Sequence, residues 1–299
     1  MKKFSISVPA TSTNLGPGFD CLSVALPIFL NIKGHISNNF KITATGNYTD
    51  GISLKKDNLI YKIYSSLYKK LNKKNPPLLD LSVNNNIPLE RGLGSSAAAI
   101  VAGCYLAYAV SGKKPDKQKI FEVSSKIEGH PDNTGAAIFG GFCVNKMTPH
   151  KCANIKLNIP YKINFNLIIP QMHINTSNAR KILPQKYSRS NVIETLTSLA
   201  MIMCSFSSGN WEMIDMCSDQ IHEKYRLSYS KDLKNLYQMI KKIPDTYSYL
   251  SGSGPVICVL DKNKNRNIIS KEILTIIKKQ RLQCRLKTSV IFEEGTKCI

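Results

Sequence analysis

The side chains best suited to chemistry lie in a few short stretches of this 299-residue chain. Pro88-Leu89-Glu90-Arg91-Gly92-Leu93-Gly94-Ser95-Ser96-Ala97 joins an expected strand to an expected buried helix. Gly92 and Gly94 permit positive φ and close backbone approach. The free N–H groups of the helix start would then face an anion with the macrodipole behind them. Ser95 and Ser96 add hydroxyls for a phosphate or for Mg²⁺. No lysine follows Gly94, so this is not a Walker A loop. The plainer reading is a glycine turn with a serine cap, but the three alanines after the serines suit a helix seated close against a sheet.

Glu128-Gly-His130-Pro-Asp132-Asn133 concentrates titratable groups at a helix end. A structural histidine is the bland reading of His130. Pro9 to Asp20 is read as a loop whose Gly16, Pro17 and Gly18 can turn Asn14 and Asp20 inward over a pocket; a solvated Asp20 is the alternative. Leu250-Ser-Gly-Ser-Gly-Pro255 joins two expected strands, and its glycines let backbone approach the phosphate loop from the opposite side. The chain has 34 lysines but only 7 arginines. Arg180 and Arg226, both in the helix-rich second half, are therefore worth singling out, because a planar bidentate fork is what lysine cannot supply. Asn58 caps the helix that follows it. His35, His150, His173 and His222 have no comparable context and are read as surface or packing residues.

These motifs need elements to hold them. Strands are expected over 4–8, 22–33, 40–45, 78–83, 141–145, 163–169, 246–250, 255–261 and 284–292. Helices are expected from Leu59, from Ser95 to Val110, from Asp116 to Glu128, and over 176–183, 190–205, 210–223, 230–242 and 268–280. The Ser95 helix is apolar all round, as a buried helix must be. The pattern describes an α+β protein with a soft boundary giving units 1–162 and 163–299, packed tightly because no long linker separates them.

Composition narrows the class. Hydrophobic residues at 42% and charged residues at 20% are ordinary for a globular chain. The net charge of +21 invites polyanions. The excess is lysine spread along the chain, and no aromatic-basic signature of RNA binding accompanies it, so nucleic acid is not the expected partner. Nine cysteines without a C-x-x-C pair read as reduced thiols in a cytoplasmic protein. The longest helix-sized apolar run falls short of the ~20 residues a bilayer needs, so no membrane partner is expected. A homodimer is among the oligomeric states the sequence leaves open.

Three of the stretches, Pro9 to Asp20, Pro88 to Ala99 and Leu250 to Pro255, occur in the order and spacing of the three motifs of the GHMP family of small-molecule kinases, which the chain resembles over nearly its whole length. The resemblance implies the GHMP kinase fold: two packed α/β sandwich-like units with mostly antiparallel sheets. Pro88 to Ala97 would wrap ATP phosphates and Asn58 would face adenine. Ser96 and Glu128 would hold Mg²⁺, which suits a hard cation that keeps most of its waters. The first motif is similar to that of members phosphorylating L-homoserine to O-phosphohomoserine in threonine biosynthesis. By that likeness Asn14, Asp20, His130 and Asn133 lie at the amino acid, and Arg180 and Arg226 grip its carboxylate. Mevalonate or shikimate would be the acceptor in other branches, and a basic RNA-binding protein is the reading from a different class. Some relatives carry a catalytic carboxylate where Asp132 stands. Asp132 is expected to orient its loop rather than to act as base.

Overall fold

A computed structural model describes residues 3–262 and 266–299. The first sheet has seven strands in the order β11-β1-β2-β4-β3, with β5 paired to β2 and β6 to β5. Its members are β1 (Lys3–Asn14), β2 (Gly18–Ile36), β3 (Lys41–Thr45), β4 (Leu79–Asn85), β5 (Phe142–Met147), β6 (Cys152–Leu157) and β11 (Lys297–Cys298). Every pairing is antiparallel except β3 with β4. Four helices accompany this sheet: α1 (Leu59–Asn72), α2 (Ser95–Ser111), α3 (Lys117–Glu128) and α4 (Asp132–Phe139).

The second sheet is a four-stranded antiparallel array ordered β10-β7-β9-β8. It comprises β7 (Asn164–Pro170), β8 (Thr246–Leu250), β9 (Ile257–Asp261) and β10 (Cys284–Val290). Helices α5 (Thr176–Lys181), α6 (Arg189–Ser208), α7 (Glu223–Leu227), α8 (Lys231–Ile240) and α9 (Arg266–Lys278) complete this half. The 162/163 division falls where the chain passes from one sheet to the other, but the C-terminal β11 returns to pair Cys298 with Ile6.

Side-chain alternation on the second sheet explains why the halves do not separate. Strand β7 is buried along its whole length. Phe165, Leu167 and Ile169 join one large core together with Val8, Leu26 and the α2 residues Val101 and Tyr105. Ile168, on the other face, joins a second core with Leu233, Leu236 and Ile240 of α8. A strand covered on both faces tends to read as a continuous apolar run; here Leu167 to Pro170 does, while Asn164 and Asn166 are buried polar exceptions bonded to Asp261. The two sheets therefore share one interior rather than meeting across a wet interface.

Several expectations fail for identifiable reasons. Pro9 to Asp20 is not a loop: β1 continues to Asn14, a tight turn follows, and β2 starts at Gly18. Pairing with β2 overrides the local turn signals, and the register shifts beside Pro9, which lacks a ladder donor. The helix expected over 210–223 is absent; a 3-10 turn at Ile214–Met216 and the short α7 replace it. Its backbone donors are taken by side chains instead. Ser198 Oγ accepts from Ser218 N, Thr195 Oγ1 from Gln220 N, and Asp219 from the backbone of Ile221, His222 and Glu223. Strand β6 lies in a stretch read only as basic and proline-punctuated. It is an edge strand whose mostly outward-facing residues show no alternation of the kind that marks a half-buried strand. Helix α4 and the two-residue β11 escaped notice because they are short.

Helices α1 and α2 approach closely at Gly103, where a built Cβ would stand 2.7 Å from the Ile60 carbonyl oxygen and 2.7 Å from Ile63 Cβ. Alanine is the better helix former by ~1 kcal/mol. Overpacking against backbone costs ~1–3 kcal/mol and should win. Gly103→Ala is expected to lower the melting temperature, measured by thermal unfolding; a rise would show that the helices separate without penalty.

Candidate active site

The halves enclose a cavity of about 760 Å³ into which all three glycine motifs open. Its floor is the start of α2. Gly94 is the N-cap residue at φ 71°, no side chain caps the helix, and the first turn carries no acidic group. The backbone donors of that turn are thus left for an anion, with the helix dipole reinforcing them. Space there is fixed tightly, since a Cβ on Gly94 would stand 2.0 Å from Thr11 Oγ1 and one on Gly92 2.1 Å from the Ser251 carbonyl oxygen. Ser251 Oγ donates to the Gly92 carbonyl at 2.6 Å, so the third motif braces the phosphate-type loop from across the cavity.

The end of α3 and the start of α4 supply the next wall. Glu128, the last residue of α3, accepts a 3.0 Å hydrogen bond from Ser96 Oγ. Burial pushes its carboxyl above the ordinary glutamate range, against the opposing pull of His130 and Ser96. His130 Nδ1 bonds to Asp132 Oδ1, and the same oxygen accepts from Asn133 N at 2.8 Å. Desolvation alone would lower the His130 pKa, but the Asp132 charge and hydrogen bond outweigh it and raise it; Asp132 is held low in return. Thr11 Oγ1 donates to Asn133 Oδ1 at 2.8 Å, which leaves the amide nitrogen of Asn133 available.

The turn between β1 and β2 forms the opposite wall. Asn14, Leu15 and Gly16 all have positive φ, at 72°, 46° and 79°, which is costly for the two that are not glycine. Second-half groups hold them: Tyr247 Oη donates to the Leu15 carbonyl at 2.9 Å, and His222 Nε2 to the Gly16 carbonyl at 2.9 Å. Asn14 is itself structural, accepting from Asp20 N at 3.1 Å and donating to the Gly252 carbonyl at 3.0 Å. It still lines the cavity, as does Asp20. Arg180, from α5, grips Asp20 with both terminal nitrogens, at 2.9 and 2.5 Å. Arg226, from α7, is only 2% exposed. It donates through Nη1 to the Gly252 carbonyl at 2.7 Å and to His222 Nδ1 at 3.1 Å. Burial and the positive charge of Arg180 push Arg226 down to about 10.

Asn58 accepts from Ile60 N and Tyr61 N as the α1 cap and also lines the cavity. Arg91 lines it too, 3.4 Å from His173 and 5.8 Å from the Tyr48 ring centroid. The Pro88, Leu93 and Ala97 side chains do not line the cavity: Leu93 and Ala97 are core residues beneath the loop. Of the histidines read as surface or packing groups, His173 is exposed and also lines the cavity, and His222 is fully buried against Arg226. Neither has a motif around it; only the tertiary contacts reveal them.

Ser96 and Glu128 fit a magnesium ion. They present two hard oxygens together at the uncapped start of α2, and among the described residues no lysine or arginine forms an ion pair with Glu128. The donor atoms of Asp20, His130 and Asp132 also gather within 4.8 Å of one another. Those groups are already engaged, His130 with Asp132 and Asp20 with Arg180, so this trio fits an ion less well.

Comparison with known proteins agrees with this architecture. Residues 58–141 match the family model described as GHMP kinases N terminal domain. The crystal structure of homoserine kinase from Cytophaga hutchinsonii superposes with a TM-score of 0.87 over 100% of this chain and 98% of that one at 21% identity, which speaks for the fold. A mevalonate diphosphate decarboxylase from Staphylococcus aureus, 14% identical, superposes at 0.70 over 100% and 98%, which shows that the fold is shared beyond one chemistry. Among curated proteins, the homoserine kinase of Aliarcobacter butzleri is 35% identical over 84% of this chain and 86% of its own length. That of Campylobacter jejuni is 34% identical over 93% and 95%. Identity at that level and coverage, on a shared fold, means that the chain belongs to the homoserine kinase family of the GHMP kinases.

Proposed function

We propose that the protein transfers the γ-phosphoryl group of ATP to the side-chain hydroxyl of L-homoserine, giving ADP and O-phospho-L-homoserine for threonine biosynthesis in the cytoplasm. The observation that supports it best is the pairing, in one cavity, of an uncapped helix start with a set of opposite charges that matches a zwitterion. The backbone of the Gly92–Ser96 turn takes the phosphates, and Asp20 takes the ammonium. Arg226, with Arg180 beside it, takes the carboxylate. Mevalonate and shikimate have no ammonium and would not use Asp20 as a countercharge. An assay of ADP release is expected to show turnover with L-homoserine and none above background with mevalonate or shikimate; the reverse ranking would overturn the substrate assignment.

Ser96 and Glu128 would hold Mg²⁺, whose chemistry here is to neutralise the charge spread over the transferred phosphoryl oxygens. Losing such a stabiliser costs ~10²- to 10³-fold in rate. Glu128→Gln should therefore lower kcat by about that factor and raise the Mg²⁺ concentration needed for half-maximal rate. An unchanged Mg²⁺ dependence would move the ligand elsewhere.

His130, locked by Asp132, and Asn133, locked by Thr11, are placed to orient the acceptor hydroxyl. A loose transition state demands little activation of the nucleophile, so holding it in line does most of the work. Both known demands on Asp132 Oδ1, from the His130 ring and from Asn133 N, are orienting ones. Asp132→Asn should lose less than ~10³-fold in kcat, below the upper range of general-base effects. Its His130 should also titrate lower, because the charge that raises it is gone. A folded variant slowed further than this, and rescued at alkaline pH, would make Asp132 the base.

A further inference from the structure

Of the arginines at the cavity, Arg226 is the most deeply buried, and its donors are divided in an informative way. Both hydrogen bonds it makes leave from Nη1, to the Gly252 carbonyl and to His222 Nδ1. Its Nε is buried with no partner. In a guanidinium the Nε–H and Nη2 groups lie along one edge, and that edge matches the two oxygens of a carboxylate. His222 controls which edge is spent. Its ring sits between two groups of fixed character: the Gly16 carbonyl, which can only accept, at 2.9 Å from Nε2, and the Arg226 guanidinium, which can only donate, at 3.1 Å from Nδ1. Only the neutral ring with its proton on Nε2 satisfies both. Asp219 Oδ2 lies 3.9 Å from Nε2 but is already taken by the backbone N–H groups of His222 and Glu223, both at 2.7 Å. Phe19 closes the arrangement, stacked on the imidazole at 5.2 Å and beneath the Arg226 guanidinium at 5.2 Å.

We infer that His222 is a positioning residue for the substrate carboxylate: bridging the β1–β2 turn and Arg226, it occupies Nη1 and so presents the Nε–Nη2 edge as the unclaimed fork. The inference rests on the reading of Arg226 as the carboxylate receptor. His222 touches neither substrate nor nucleotide and moves no proton in the reaction. Its neutral state is consistent with its surroundings, since complete burial and the adjacent guanidinium, only partly offset by Asp219, hold it down at about 4.

The test compares His222→Leu, His222→Asn, Arg226→Ala and the His222→Leu/Arg226→Ala double variant, with KM measured for ATP, for L-homoserine and for its amino-diol analogue, in which the carboxylate is replaced by a hydroxymethyl group. Removing a hydrogen bond to a buried charge corresponds to roughly 10- to 100-fold in affinity. His222→Leu should raise the homoserine KM by about that factor, with the ATP KM and the amino-diol KM moved less than about threefold. Asn at 222 keeps an acceptor where Nδ1 stood and should recover most of the loss. The double variant should be no worse than Arg226→Ala alone, as expected of two residues acting through one contact. Equal damage with homoserine and the amino-diol, or additive damage in the double variant, would overturn the inference and reduce His222 to packing. If Arg226→Ala itself leaves the homoserine KM unchanged, it is the carboxylate assignment that fails. Should the Leu variant not fold, ¹⁵N shifts of the imidazole in the unaltered protein decide the matter. The Nε2–H tautomer at neutral pH is expected, and the Nδ1–H tautomer or an imidazolium would overturn the proposal.

Discussion

The structure is organised around one unsatisfied helix end. Helix α2 begins at the centre of the protein with no side-chain cap, and its first turn has nothing acidic to answer its dipole. Leaving those donors buried and unpaired would be costly, and the end opens on the cavity, where water or an anion can meet them. That requirement places Gly94 where Thr11 and Asn133 crowd it and Gly92 where Ser251 does. It also explains why α2 is apolar on every side: it runs inward from the cavity floor between α1 and the first sheet, surrounded by core.

Charge is managed by pairing rather than by exposure. Asp132 is matched with His130, Asp20 with Arg180, and Glu128 with the Ser96 hydroxyl. Arg226 stands apart, because its buried guanidinium is met by neutral partners only: a carbonyl, an imidazole and the Phe19 ring. The carboxylates of Asp20, Asp219 and Asp132 act on it only through space, without a direct hydrogen bond. On the proposed reading, a zwitterionic substrate brings an anion to Arg226 and an ammonium to Asp20.

The two halves meet at the site through backbone as much as through side chains. Tyr247 and His222 satisfy carbonyls of the strained β1–β2 turn, and Asn14 reaches across to the Gly252 carbonyl. Glu223, beside His222, ties α7 to the end of β8 by accepting from Leu250 N at 2.6 Å and from Tyr237 Oη at 2.8 Å. Burial raises that carboxyl to about 7. Its protonated form is therefore favoured in the fold, and the stability it lends is lost as pH rises from about 4.5 through 7. A short helix of five residues can hold Arg226 firmly because its neighbours on both sides are anchored.

Much of this was legible in the residues. The glycine-serine loop before an all-apolar run, the polar cluster from Glu128 to Asn133 and the rarity of arginine pointed to stretches that the fold gathers around one cavity, because each depends on local chemistry. Element type was legible where periodicity was clear, as in α1 and α3, or where an apolar run was long enough for a buried helix, as in α2. The continuation of β1 through Pro9 to Asn14 was not, since its ladder partner lies beyond the turn and pairing overrode local glycine and proline signals. The missing helix over 210–223 depended on Ser198, Thr195 and Asp219 capturing backbone donors, a contest that an amphipathic pattern does not record. Sequence alone identified Arg226 as a candidate carboxylate fork. Which of its edges is free, and that His222 decides it, depends on the Gly16 and Gly252 carbonyls, brought from 206 residues before His222 and 26 after Arg226. Hydrogen-bond direction is set in three dimensions, and only the tertiary structure assigns it.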